Sequence, residues 1–276
     1  MLLNVAPACL TRLDVSENPL GKLGGLALAA FLQRNNTLLE LFAADTELDI
    51  DALIAISAVL HVNNDTLRVL DVQNPRIFSL EADHCTHFGK MLAVSPSLAE
   101  VYFGKFRLRD SGLELFLDDV QVDHQRLQVL DLRCNEIGAR GAECVAELVK
   151  WGKLQKLNLD ANRIGERDNV TGAQALGDAL VETRSLRHLS INSNSLCDAA
   201  LCVLLKPVAE EAIERDFRLE CFENLWRSPA DETATTSAVK ILHEIGTKER
   251  IYRFKCDAGS QKVDTSLFVC AKNVED

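Results

Sequence analysis

The sequence predicts a right-handed α/β solenoid, a horseshoe with parallel strands on its concave face and helices on its convex face. Three observations predict it. The frame Leu-x-x-Leu-x-Leu-x-x-Asn-x-Leu, or a close variant, opens at Leu10, Leu38, Leu67, Leu98, Leu127, Leu154 and Leu186. The steps between openings run from 27 to 32 residues, room for one strand and one helix in each unit. Of the 276 residues, 47% are apolar but only 5% aromatic, so layers of aliphatic side chains must fill the core.

The clearest copy begins at Leu127. The alternation Leu130, Leu132 predicts a short strand with its leucines inward and Val129, Asp131 and Arg133 outward. Asn135 ends the strand, because its amide can bond backbone groups that no ladder reaches. Gly138 and Gly141 then permit a turn and the close approach of a helix, and Ala142, Val145, Leu148 and Val149 recur at helical spacing on its inner face. The same grammar returns at Asn18-Pro19-Leu20-Gly21, Asn162-Arg163-Ile164-Gly165 and Asn194-Ser195-Leu196. Parallel strands stack about 4.8 Å apart while helices need roughly 10 Å, so a long stack must curve with its strands inside.

An asparagine turn followed by Ile137-Gly138, then Gly141-Ala142 and a full helix, resembles the ribonuclease-inhibitor-like subfamily of leucine-rich repeats, over about residues 10 to 216. That subfamily includes ribonuclease inhibitor, the Ran GTPase-activating protein, the repeat domains of innate immune receptors and repeat subunits of ciliary axonemes. The middle repeats depart from the pattern. Thr46 stands at the asparagine place of repeat two, Pro75 at that of repeat three with Asn74 one place early, and Phe106 at that of repeat four. Residues 166–171 are expected to enlarge the loop after the sixth strand.

The expected organisation is a solenoid over residues 1–216 and an α/β C-terminal cap or small extension over 217–276, because an open solenoid end exposes apolar surface that must be covered. Cys197 to Glu214 reads as the last solenoid helix, broken or kinked at Pro207. Phe217 to Phe222 reads as a strand that does not restore the frame. Ser228 to Ser237 reads as a linker, Ala238 to Ile245 as a short helix, and Arg250–Cys256 and Ser266–Ala271 as two strands.

Composition narrows the function. The net charge is −11 and no basic patch stands out, which argues against nucleic acid and membrane surfaces and fits a protein partner with a basic surface. No stretch reaches the roughly 18 apolar residues of a membrane span. The first residues carry no basic group before their short apolar run, which argues against a signal peptide. Nine cysteines without disulfide-like spacing read as free thiols in a reducing, cytoplasmic setting, with a cytoskeletal or ciliary location included. The sequons at Asn35, Asn64 and Asn169 then read as chance. His84-Cys85-Thr86-His87 lacks a second metal-ligand pair and reads as a polar helix face. With no phosphate loop, nucleophile elbow or HExxH helix, the chain reads as a non-enzyme without catalytic residues, metal or cofactor.

The remaining candidate site is the concave face. Its outward residues alternate aromatic rings with carboxylates, and the candidates are Asp14, Glu40, Phe42, Asp71, Glu100, Tyr102, Asp131, Arg133, Asn158 and Asp160. Rigid aromatic anchors supply affinity and charges supply register, so the expectation is an interaction scaffold or adaptor that binds a protein through this face. Two alternatives stand beside it. One is a structural subunit of a large multi-subunit assembly such as a ciliary axoneme. The other is a GTPase-activating protein of the Ran type, for which the resemblance implies an arginine and an asparagine on one edge and a strongly acidic tail. No such tail follows Val269 in this sequence.

Overall fold

The computed structural model describes residues 9–62, 64–118, 120, 126–210, 217–221, 224 and 241, and the backbone of 252–258 and 261–269. They belong to two compact units, Met1–Asn135 and Glu136–Asp276.

In the first unit, strands and helices alternate: β1 (Arg12–Asp14), α1 (Gly21–Leu32), β2 (Glu40–Phe42), α2 (Ile50–Val62), β3 (Val69–Asp71), α3 (Ala82–Val94), β4 (Glu100–Tyr102), α4 (Arg109–Asp118) and β5 (Val129–Asp131). The strands pair in parallel with the frame in register, so Leu13, Leu41, Leu70, Val101 and Leu130 form one row. From Leu41 to Leu130 that row is buried, which is the reason for the alternation in sequence. The next inward row, Ala43, Val72 and Phe103, is buried as well.

Repeat four fills its irregular turn with rings. Phe106, at the asparagine place, stacks on Phe103 at 4.6 Å, while Phe88 meets both edge-on at 5.6 and 5.9 Å and Phe116 lies 5.6 Å from Phe103. Burying each ring contributes roughly 2–3 kcal/mol, comparable to the backbone hydrogen bonds that a single asparagine supplies.

The return from helix to strand has its own chemistry. Asn64 is buried, donates to Leu32 O at 3.1 Å and accepts the N–H groups of Thr66 and Leu67. The Thr66 and Thr37 hydroxyls donate one repeat back, to Leu38 O and Leu10 O. Asn-x-Thr at Asn35 and Asn64 is therefore turn chemistry, and that accounts for both sequons.

The second unit holds α5 (Ala139–Trp151), β6 (Lys156–Asn158), α6 (Thr171–Glu182), β7 (His188–Ser190), α7 (Asp198–Ala209), β8 (Phe217–Glu220), β9 (Tyr252–Ala258) and β10 (Gln261–Val269). β6, β7 and β8 are parallel, aligning Leu157, Leu189 and Leu219; β10 then pairs antiparallel with β8, and β9 antiparallel with β10. The enlarged sixth loop contains a short 3-10 turn, Glu166–Asp168. Helices α5 and α6 pack so closely that a Cβ on Gly172 would come within 2.9 Å of Ala139 Cα.

Two expectations are corrected. α7 continues through Pro207 to Ala209, because a proline in the last turn removes only one intrahelical donor. The strand at Phe217 does restore the frame: Cys221 is buried at the leucine place, and Asn224 donates to Ile191 O and Cys221 O while accepting Asn194 N and Leu196 N. In the turn after β5, Cys134 and Glu136 take left-handed backbone at φ values of 57° and 59°, while Gly138 has a φ of −97°. The linker expected at 228–237 and most of the helix expected at 238–245 lie outside the described residues.

Candidate functional site

The sheet face turned away from the helices carries the residues singled out in sequence, because outward positions alternate with the buried rows. In the first unit they gather into two groups.

The first group is built on β1 and β2. Arg12 donates to Glu40 Oε2 at 2.8 Å, and its guanidinium lies 4.2 Å from the centre of the half-buried Phe42 ring. Asp14 accepts the Ser16 N–H at 3.1 Å, and that bond holds its carboxyl below the usual value. Phe42 is thus clamped by Arg12 and half-buried.

The second group spans β3, β4 and β5. The Tyr102 hydroxyl donates to Glu100 Oε2 at 2.9 Å. Burial, then that bond and the nearby charges of Glu100, Asp71 and Asp131, push its pKa up, so the phenol stays protonated. Asp71 accepts from Gln73, through N–H at 3.1 Å and Nε2 at 3.2 and 3.3 Å. Burial raises the Asp71 pKa, the hydrogen bonds from Gln73 oppose the rise, and Asp131 adds to it. Asp131 itself is only 2% exposed; Arg133 Nε reaches its two oxygens at 3.0 and 2.9 Å, and the guanidinium shields the carboxylate from above. Asp131 therefore offers little surface of its own and fixes Arg133, which is exposed. Gly104 makes the group compact: a Cβ there would lie 2.7 Å from Gln73 Oε1 and 3.0 Å from Arg133 Cγ.

In the second unit, Asn158 and Asp160 enter a polar network on the same kind of face. Asp160 donates its N–H to Asn158 Oδ1 at 2.9 Å, and its carboxylate accepts the Ser190 hydroxyl at 2.7 Å and the Asn192 N–H at 2.8 Å. Ser190 also lies 3.3 Å from Glu220 Oε2. His188 Nε2 is buried and stands 3.4 Å from Glu220 Oε1 without making a hydrogen bond. Burial lowers the His188 pKa; Glu220 opposes the fall, and Arg218 and Lys156 reinforce it. Ser190 and His188 both turn to Glu220 and not to each other, so this arrangement lacks the hydroxyl-to-imidazole contact that activates a nucleophile. Sequence reasoning missed Glu220 and Arg218 because the eighth frame was not recognised; the signal was Leu219, Cys221 and Asn224 at their frame spacing.

The other sequence candidates are committed elsewhere. His84 Nδ1 accepts the Glu81 N–H at 3.1 Å in a helix cap, and burial pushes the Cys85 thiol up to about 11. Among the described residues, no group of three or more His, Cys, Asp and Glu is arranged to hold a metal, and no helix is long and apolar enough to cross a membrane.

Comparison with known proteins agrees with this architecture. A family model described as Leucine Rich repeat matches residues 6–29 and 124–146. Ribonuclease inhibitor of Sus scrofa is 25% identical over 168 residues, 51% of this chain and 37% of that protein. NACHT, LRR and PYD domains-containing protein 12 of Mus musculus is 25% identical over 212 residues, 66% of this chain and 19% of that protein. Protein CARMIL of Dictyostelium discoideum is 23% identical over 196 residues, 67% of this chain and 17% of that protein. The chain thus spans 17–37% of the length of these relatives.

Proposed function

Since the chain is a ribonuclease-inhibitor-like leucine-rich repeat protein, we propose that it is a non-enzymatic scaffold that binds a protein through the sheet face turned away from its helices. The observation that carries this reading is the pair of held aromatic rings among carboxylates. Phe42 is gripped by Arg12, and Tyr102 is tied to Glu100 between Asp71 and Asp131. Rings already fixed in place lose little conformational entropy when a partner covers them. The surrounding carboxylates select a partner with cationic groups at matching positions and set its register. Ribonuclease inhibitor, as its name states, acts on a protein, and the same use of the fold is proposed here. In the second unit Asp160 holds the Ser190 hydroxyl and the Asn192 N–H, a fixed polar surface suited to binding.

The test is quantitative cross-linking and mass spectrometry from native extract, with wild type and a Phe42→Ala/Tyr102→Ala variant as baits. The proteins captured by wild type should fall at least about tenfold with the variant, at unchanged melting temperature. Equal capture by both would place the interface on another surface and end this reading.

A further inference from the structure

The turns that follow the strands of the first unit stack in the same register as the strands. Asp45 N donates to Gln73 O, Asn74 N to Gly104 O and Lys105 N to Arg133 O, each at 2.9 Å. The fourth of these turns reads Lys105-Phe106-Arg107-Leu108-Arg109, and it alternates strictly: Phe106 and Leu108 are buried, while all three cations are exposed. Lys105, Arg107 and Arg109 hold positive φ values of 62°, 58° and 56°, a conformation that non-glycine residues adopt only when their surroundings impose it. Two contacts impose it here. Phe106 is stacked on Phe103 below, and Asn135 Oδ1 accepts the Phe106 N–H at 2.9 Å from the next repeat.

Arg76 occupies in repeat three the frame place that Arg107 occupies in repeat four. Its guanidinium lies 5.5 Å from the centre of the Phe78 ring, which is 83% exposed. Glu47 reaches Arg76 at 3.4 Å, but no carboxylate pairs with Lys105 or Arg107 among the described residues. A chain of net charge −11 therefore gathers four cations and a bare aromatic ring on one rim. In the sequence this cluster is diluted by the buried Phe106 and Leu108.

We propose that this rim docks an extended acidic segment of a partner protein. Carboxylates at alternate residues would meet Lys105 and Arg107, and an apolar residue would cover Phe78. Charge complementarity is local, within a screening length of about 8–10 Å: Lys105 and Arg107 have no carboxylate partner among the described residues, whereas Glu47 already offsets Arg76. A nucleic acid long enough to reach past the rim meets the chain's overall negative charge, which favours the short carboxylate segment.

The probe is a fluorescein-labelled peptide of alternating glutamate and serine ending in leucine, titrated with the full chain by fluorescence anisotropy. Lys105→Glu and Arg107→Glu should each weaken binding about tenfold, and Phe78→Ser about threefold. Lys90→Glu, an exposed change of the same charge on α3, should stay within about twofold of wild type. Thermal melts verify that each variant is folded. Three results overturn the proposal: no binding by wild type, an equal loss with Lys90→Glu, or tighter binding of an oligothymidylate of equal charge. Phe42 and Tyr102 do not enter this assay, so its failure leaves the sheet-face reading to its own test.

Discussion

The side-chain oxygen of Asn135 accepts the backbone N–H of Phe106 at 2.9 Å, so the asparagine of one repeat completes the turn of a neighbour whose own asparagine place holds that phenylalanine. Asn135 Nδ2 donates in turn to Phe103 O at 2.8 Å and Arg133 O at 3.3 Å, with the whole side chain buried. Asn135→Ala would strand these buried backbone groups without partners. The expected cost is about 2–4 kcal/mol by urea denaturation. A loss below about 1 kcal/mol would mean that the turn satisfies its backbone by another route.

Asp71 should hold back the stability of the first unit at neutral pH. Its carboxyl pKa is raised in the fold, chiefly by burial, so the ionised form is the disfavoured one. The sign follows: the cost is present above the folded pKa and fades as pH falls through it, because the native state then binds the proton more readily than the unfolded chain. Asp71→Asn keeps an acceptor for Gln73 and removes the charge. Discounted for solvent screening, it should stabilise by about half a kcal/mol at pH 7, with the gain shrinking in acid. The same variant should weaken a cationic partner of the sheet face. Stability that rises while binding falls marks a residue kept for recognition; a variant that binds as well as wild type would remove Asp71 from the interface.

The rows that build the sheet were legible because period fixes burial: a leucine at every frame place must point inward, and its neighbours outward. The candidates on the face were legible for the same reason. What period cannot state is how outward side chains treat one another. Asp131 and Arg133 both count as outward, yet one lies beneath the other. Phe88, Phe103, Phe106 and Phe116 are scattered over α3, α4 and the turn after β4, so only the folded chain shows that their contacts replace a missing asparagine. The eighth repeat escaped because its first leucine place is Asp216 and its last is Trp226, leaving Leu219, Cys221 and Asn224 as a sparse signature.

His188 should make the second unit less stable in mild acid. Burial lowers its pKa below the ordinary 6.5 despite the nearby Glu220. As pH falls below 6.5, the unfolded chain takes up a proton that the folded imidazole resists, so stability is lost from there downward. His188→Gln should reduce the drop in melting temperature between pH 7.5 and about pH 5.5. An unchanged drop would assign the acid sensitivity to other groups.

Ala161 offers the opposite kind of change, a gain with no contact altered. It sits at the place before the frame's asparagine with φ of 53°, exposed, and its N–H donates to Asn192 O at 2.8 Å. Left-handed backbone costs an L-residue with a Cβ roughly 1–2 kcal/mol, and glycine nothing. Glycine also loses more freedom on folding, by roughly 0.5–1 kcal/mol relative to alanine. The difference favours glycine, so Ala161→Gly should stabilise by about half a kcal/mol, read as a higher urea midpoint at unchanged slope. The hydrogen bond to Asn192 survives, because the backbone path is the one glycine adopts most readily. Destabilisation by Ala161→Gly would mean that the alanine methyl makes a contact worth more than the strain of its backbone.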